Sequence, residues 1–69
     1  MRMYSTESTL IAAYGYDPEK QEMDIEFHQG GLYRYFAVPQ EAFSDFLRAP
    51  SKGKHFLRFI KGAYAYEKR

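Results

Sequence analysis

The stretch Glu22-Met23-Asp24-Ile25-Glu26-Phe27-His28 alternates polar and apolar residues without a break, and a glycine pair follows at 30 and 31. Strict period-2 alternation is compatible with one structure, a strand with one face buried and the other wet. The glycines, followed by the aromatic run from Leu32 to Ala37, turn that strand into a hairpin. A three-residue loop over residues 29–31, with a glycine in the left-handed position, pairs His28 with Leu32. Phe27 then faces Tyr33, Glu26 faces Arg34 and Ile25 faces Tyr35. Aromatic and opposite-charge cross-strand pairs each contribute about 0.2–1 kcal/mol. A two-residue Gly-Gly loop would set Phe27 against Arg34 and Glu26 against Tyr35, so the three-residue loop is preferred. One face of the hairpin carries Met23, Ile25, Phe27, Tyr33, Tyr35 and Ala37. The other carries Asp24, Glu26, His28, Leu32, Arg34 and Phe36.

The rest of the chain is built around this hairpin. Residues 8–16 read as a strand weakened by two alanines. Asp17-Pro18-Glu19-Lys20-Gln21 is a turn, with Pro18 presetting φ. Val38-Pro39 ends the last strand. Pro39 suits a helix start, and Glu41 in the first turn favours the helix dipole. Ala42, Phe43, Phe46 and Leu47 form the apolar stripe of that helix, and Pro50 stops it. Ser51 is the N-cap of a second helix of about ten residues. Its stripe is Phe56, Phe59 and Ile60, and Gly62 closes it. Ala63-Tyr64-Ala65-Tyr66 alternates again and reads as extended. The expected fold is α+β: a three-stranded antiparallel β-meander followed by two short helices packed on one face, with an extended C-terminal tail. Residues 1–7 are expected to be loose and residues 8–69 to form a single domain.

A chain of 69 residues holds one domain with a small core, burying roughly 60% of its unfolded surface. It has no cysteine, so disulfides, thiolate metal sites and thiol nucleophiles are excluded. Apolar packing must suffice, and seven tyrosines and six phenylalanines supply it. No uncharged run approaches the ~20 apolar residues of a membrane span. Met1-Arg2-Met3-Tyr4 is not followed by an apolar segment, so no signal peptide is expected and the cytoplasm is the default compartment.

The formal net charge of +1 hides a polarity. Residues 1–47 carry three Lys or Arg and eight Asp or Glu, or −5; residues 48–69 carry seven and one, or +6. At 100° per residue, Lys54, Arg58 and Lys61 lie within about 60° of one another on the second helix. Arg48, Lys52, His55, Lys68 and Arg69 are close in sequence. Such a surface is the electrostatic footprint of a nucleic-acid binder, although an amphipathic helix also needs a polar face. Ser51-Lys52-Gly53-Lys54 suggests an anion site at the start of that helix, or only its cap. It is not a P-loop, since G-K-[ST] is absent. Tyr33-Arg34-Tyr35 offers an aromatic and cationic platform for stacking bases, but the preferred register turns both rings towards the helices. Tyr64 and Tyr66 are ambiguous in the same way, and Phe36 with Arg34 is the better-exposed pair. Asp24, Glu26 and His28 share a strand face, yet Glu26 has Arg34 as its expected partner and a solvated edge accounts for the row. No Ser–His–Asp arrangement is apparent, so no enzyme, metal or cofactor is expected.

These residues also resemble a known family. Gly15-Tyr16-Asp17 closing a small-residue strand, Phe27-His28-Gln29-Gly30, Tyr33-Arg34-Tyr35 with Val38-Pro39, Ala49-Pro50-Ser51-Lys52-Gly53, and Tyr64-Ala65-Tyr66 occur in the order of the KTSC domain. That small bacterial and phage module also occurs at the C-terminus of some lysyl-tRNA synthetases. Many members carry asparagine where this chain has Leu57. The resemblance implies a module of unknown function, with RNA binding suggested by the synthetase attachment and no catalytic residues. The leading expectation is therefore a non-catalytic module binding RNA, tRNA-like or single-stranded. Lys52, Lys54, Arg58 and Lys61, joined by the Ser51 backbone and Arg48, would hold phosphates; Arg34 with exposed aromatics would supply stacking, for which Tyr33, Tyr35, Phe36, Tyr64 and Tyr66 are the candidates. The alternative is a protein-interaction module, self-association included, with an acidic sheet side and a basic helix side. No membrane partner is expected.

Overall fold

The computed structural model describes residues 1–69. The alternating run forms the expected hairpin, from β3 (Glu22–Phe27) and β4 (Leu32–Tyr35), but in a register shifted by two residues. Glu26 faces Leu32, Ile25 faces Tyr33, Asp24 faces Arg34 and Met23 faces Tyr35. The reason lies in the loop. The Gly30 N–H donates to the Phe27 carbonyl at 3.0 Å, and the Phe27 N–H donates to the Gly31 carbonyl at 3.2 Å. Three residues do form the loop, but they are 28–30, with Gly30 at φ 109°. An even shift leaves every side chain on its expected face. It does change partners, so Arg34 belongs to Asp24 and not to Glu26.

The strand before the hairpin, β2 (Ile11–Asp17), starts later than residue 8 and carries a bulge between Ile11 and Ala13. The extra residue lets Ile11 and Tyr14, three positions apart, both face the side of Ile25. Both chain ends depart from expectation. Met3–Ser5, within the segment expected to be loose, forms β1 and pairs antiparallel with β2. Tyr66–Lys68 forms β5 and pairs with β4. The sheet thus has five strands in the order β1-β2-β3-β4-β5, where three were expected. Without these short terminal strands, β2 and β4 would present unpaired edges. Gly15 makes room for the first of them: a Cβ there would lie 2.7 Å from both the Arg2 carbonyl oxygen and the Met3 Sδ.

β4 ends at Tyr35, earlier than expected, and Ala37 leaves the strand with a left-handed φ of 57°. Val38 beyond it is fully buried and held at both polar atoms. Its N–H donates to the Gln21 carbonyl at 2.9 Å, and the Tyr16 hydroxyl donates to its carbonyl at 2.6 Å. Helix α1 (Gln40–Arg48) follows, and after Pro50 comes α2 (Lys52–His55), which continues as a π-helical turn over Phe56–Ile60. The Lys61 N–H reaches back to the Phe56 carbonyl at 2.9 Å, an i→i+5 bond. Gly62 ends the segment at φ 83°, as its position implies.

Both helices pack on one sheet face. Phe46 of α1 meets Tyr14 edge-on at 5.4 Å, and Phe43 stacks on Tyr16 at 4.4 Å. Phe56 of the π-turn meets Phe27 and Tyr35 at 5.4 and 5.5 Å. The core consists of Ile11, Met23, Ile25, Tyr35, Val38, Phe46, Phe56 and Ile60. Two expected core residues lie outside it: Leu47 is 41% exposed and Phe59 is 55% exposed. The buried arc of the second helix runs through Gly53, Phe56 and Ile60. Phe59 lies about 90° from the middle of that arc on an ideal wheel, and turns outward.

Candidate functional site

The second helix sits on the sheet because Gly53 lets it come close. Gly53 is buried, and a Cβ there would lie 3.1 Å from Ser8 Oγ and 3.4 Å from Leu10 Cβ. Ser51 caps the helix, its Oγ accepting the Lys54 N–H at 3.3 Å. The Ser51-Lys52-Gly53 stretch is thus a cap followed by a close-packing glycine. It holds the outer side of the helix in place, where Lys54, His55, Leu57, Arg58 and Phe59 stand.

The candidate cations separate into four places. Lys54 and Arg58, one helical turn apart, border a shallow depression with Pro50, Ser51, His55 and Phe59. There the Arg58 guanidinium lies 5.8 Å from the centre of the Phe59 ring, and the His55 ring 4.7 Å from it. Neither Lys54 nor Arg58 takes part in any of the four ion pairs. Lys52 donates from Nζ to the Leu47 carbonyl at 3.3 Å and borders a neighbouring depression shared with Lys54 and Leu57. Arg48 lies on α1, paired with Asp45. Lys61 leaves the line of Lys54 and Arg58, because the π-turn inserts an extra residue and ends in extended backbone at Lys61. It borders a groove between the hairpin, β5 and the second helix.

Arg34 belongs to none of these four places. It stands on the sheet face turned away from the helices and makes a bidentate pair with Asp24, from Nε to Oδ1 at 2.8 Å and from Nη2 to Oδ2 at 3.0 Å. Glu22 lies 3.7 Å from its Nη1, and Glu67 faces it on β5. Asp24 is 3% exposed. The hydrogen bonds to Asp24 raise the Arg34 pKa above its ordinary value. This cation is committed to carboxylates, and the expected platform of Arg34 with Phe36 does not assemble. Phe36 is half-buried at the end of β4, its N–H on the Ala65 carbonyl at 2.9 Å. Nor are Asp24, Glu26 and His28 placed together as metal ligands would be, and Asp24 is taken by Arg34.

The tyrosines sort in the same way. Tyr33, Tyr35 and Tyr66 border the groove that Lys61 borders. The Tyr66 ring lies 5.6 Å from Tyr33 and 5.5 Å from Tyr35, and is 60% exposed. Burial, followed by the neighbouring Tyr66 and Tyr33, pushes the Tyr35 hydroxyl up to about 12. Tyr64 packs against the core and borders a further hollow with Asp45, His55 and Phe59. Tyr16, the middle residue of Gly15-Tyr16-Asp17, is the hydroxyl that holds Val38, and burial together with Asp17 raises its pKa. Sequence reasoning missed Phe59 as a surface residue, having assigned it to the core. Its position at i+4 from His55 and i+1 from Arg58 was the available signal.

Fold and surface together define a small α+β module: a five-stranded antiparallel meander, one face covered by two helices, with two unpaired cations, Lys54 and Arg58, on the outer side of the second helix. The KTSC domain pattern matches residues 7–64. The chain belongs to the KTSC domain family. A crystal structure of a KTSC domain protein from Yersinia pestis superposes with a TM-score of 0.96 at 35% identity, covering 99% of this chain and 96% of that one. A lysine–tRNA ligase from a Nostoc species is 44% identical over 61 residues, 88% of this chain but 11% of the ligase. An uncharacterized protein from Stutzerimonas stutzeri is 43% identical over 61 residues, 88% of this chain and 86% of that protein. The chain therefore spans only about a ninth of the ligases it matches. No helix is long and apolar enough to cross a membrane.

Proposed function

We propose that this chain is a non-catalytic module that binds RNA through the outer side of its second helix. One observation carries the reading: two cations without acidic partners, Lys54 and Arg58, flank an exposed phenylalanine, with His55 against the same ring. Lys54 and Arg58 would hold phosphates, and the Phe59 ring would take an unstacked base, a combination typical of single-strand recognition. Lys52 and Ser51 extend the same surface. The occurrence of a similar segment in proteins named as lysine–tRNA ligases supports RNA as the ligand class.

The test is a titration of labelled single-stranded RNA and tRNA. With about three phosphate contacts, the log–log salt slope is about −2, so affinity falls about tenfold to twentyfold between roughly 50 and 200 mM salt. Lys54→Glu with Arg58→Glu should flatten that slope. Phe59→Ala should cost about 1–3 kcal/mol of binding without unfolding the domain. Absence of binding at tens of micromolar in low salt would refute the reading. A second reading rests on the sheet face without helices, where Glu22, Glu26 and Glu67 surround the Asp24–Arg34 pair. That face suits a basic protein partner; partners retained after nuclease treatment, and lost on Glu22→Lys with Glu26→Lys, would favour it.

A further inference from the structure

The groove bordered by Lys61 has a composition that selects its occupant. Phe27, Phe56 and Tyr33 wall it, and Leu57 and Tyr66, both more than half exposed, form its rims. Phe27 meets Tyr33 at 5.4 Å and 78°, and Phe56 at 5.4 Å and 65°, so the walls present both ring edges and ring faces. Such a set stacks well with a planar ring. The volume is about 340 Å³, at the small end of ligand pockets and suited to one ring system, not a duplex. Lys61 is the single charged residue bordering it, and it takes part in no ion pair. An apolar aromatic slot with one free cation at its edge complements a planar ring that carries an anion.

The groove is also continuous with the surface assigned to RNA. Lys54 borders both the Phe59 depression and the hollow above Gly53, and Leu57 borders both that hollow and the groove. We infer that the groove receives a single unpaired nucleotide, its base between Tyr66 and the Phe27–Phe56 wall and its phosphate on Lys61. The inference rests on the RNA reading for the source of that nucleotide, but not for the chemistry of the groove.

The two are separated by titrating the ¹⁵N-labelled full chain with adenosine and uridine 5′-monophosphate, with ribose 5-phosphate, and with a trinucleotide RNA. The monophosphates should shift the amides of Gly30, Leu57, Lys61 and Tyr66 saturably, with Kd on the order of 1 mM. Ribose 5-phosphate, which lacks the planar base, should bind at least about tenfold more weakly. Lys61→Glu and Leu57→Glu, both at exposed positions, should each weaken the monophosphates about tenfold, with amide dispersion confirming that the variants fold. Lys54→Glu with Arg58→Glu, which changes the overall charge but not the groove lining, should weaken the monophosphates less than Lys61→Glu alone. A trinucleotide that binds the groove more tightly than a monophosphate identifies a nucleotide within a strand as the source; equal affinity identifies a free nucleotide. Groove amides unmoved by every ligand up to about 10 mM, equal binding of ribose 5-phosphate, or indifference to Lys61→Glu would overturn the inference. The helix-face reading fails separately, if RNA binding ignores Lys54→Glu with Arg58→Glu.

Discussion

Replacing Gly53 by alanine sets two effects of similar size against each other. Alanine in a helix is favoured over glycine by up to about 1 kcal/mol, and less in the first turn, where Gly53 sits two residues after the Ser51 cap. If glycine only relaxes the start of the helix, Gly53→Ala should therefore stabilise the domain. The structure argues the reverse. The new Cβ would stand 3.1 Å from Ser8 Oγ and 3.4 Å from Leu10 Cβ. Ser8 cannot simply step aside, because its Oγ accepts the N–H groups of Leu10 and Ile11, each at 3.1 Å. Displacing it gives up hydrogen bonds with a net value of about 1 kcal/mol each. The balance is a net destabilisation of about 1 kcal/mol, or a drop in Tm of about 4–8 °C for a domain of this size. Chemical denaturation and calorimetry of Gly53→Ala, Ser8→Ala and the double variant give a complete cycle. With Ser8 Oγ gone, both hydrogen bonds are already lost, so the alanine should cost about 2 kcal/mol less than in the parent chain. A stabilised Gly53→Ala, or a cycle with no coupling, would refute the close-packing account of this glycine.

Three further outcomes follow from the packing and the charges. Tyr16→Phe removes the donor to the Val38 carbonyl, leaving a buried acceptor unmet; stability should fall by about 1–3 kcal/mol, read as a lower urea midpoint with an unchanged m-value. Arg34→Ala strands Asp24, which is 3% exposed, without its bidentate partner. A loss of about 2–4 kcal/mol is expected, with little dependence on salt, and a change of a few tenths would show that the pair is a surface ornament. Tyr35 is held protonated in the fold, its pKa raised from 10.0 to about 12 by burial. The stability this supplies is whole below pH 10 and drains away as pH rises through about 12, since the unfolded chain loses that proton first. The slope is at most about 1.4 kcal/mol per pH unit. Tyr35→Phe should flatten the alkaline decline in urea midpoints, and parallel curves for the two proteins would contradict the assignment.

Much of this fold was legible because local rules and global packing agree in it. The alternation in residues 22–28 placed Met23, Ile25 and Tyr35 in the core, and all three are there. The register error did not matter for that, because its size was even. It mattered for Arg34, whose partner depends on which three residues make the loop. Choosing between 28–30 and 29–31 rests on which of two adjacent glycines takes the left-handed turn, and both have positive φ.

The candidate surface was legible only in part. The order of cations in residues 48–69 and the capping role of Ser51 are local properties, and a helix wheel reads them. The wheel failed where the helix changes pitch: the π-turn over Phe56–Ile60 moves Lys61 to the groove, while Phe59 lies outward of the buried arc. The i→i+5 bonding of this turn decides this, with the Lys61 N–H on the Phe56 carbonyl, and it leaves both Phe56 and Ile60 in the core. The sequence by itself thus determined the family, the hairpin, the two helices and the charge polarity, all set by short-range patterns. Only the tertiary structure decided the outer strands β1 and β5, the Asp24–Arg34 pair, and the separation of the aromatic groove from the Phe59 surface. Each of these depends on which segments distant in the chain find an unpaired edge or an unfilled space, and no local pattern encodes that.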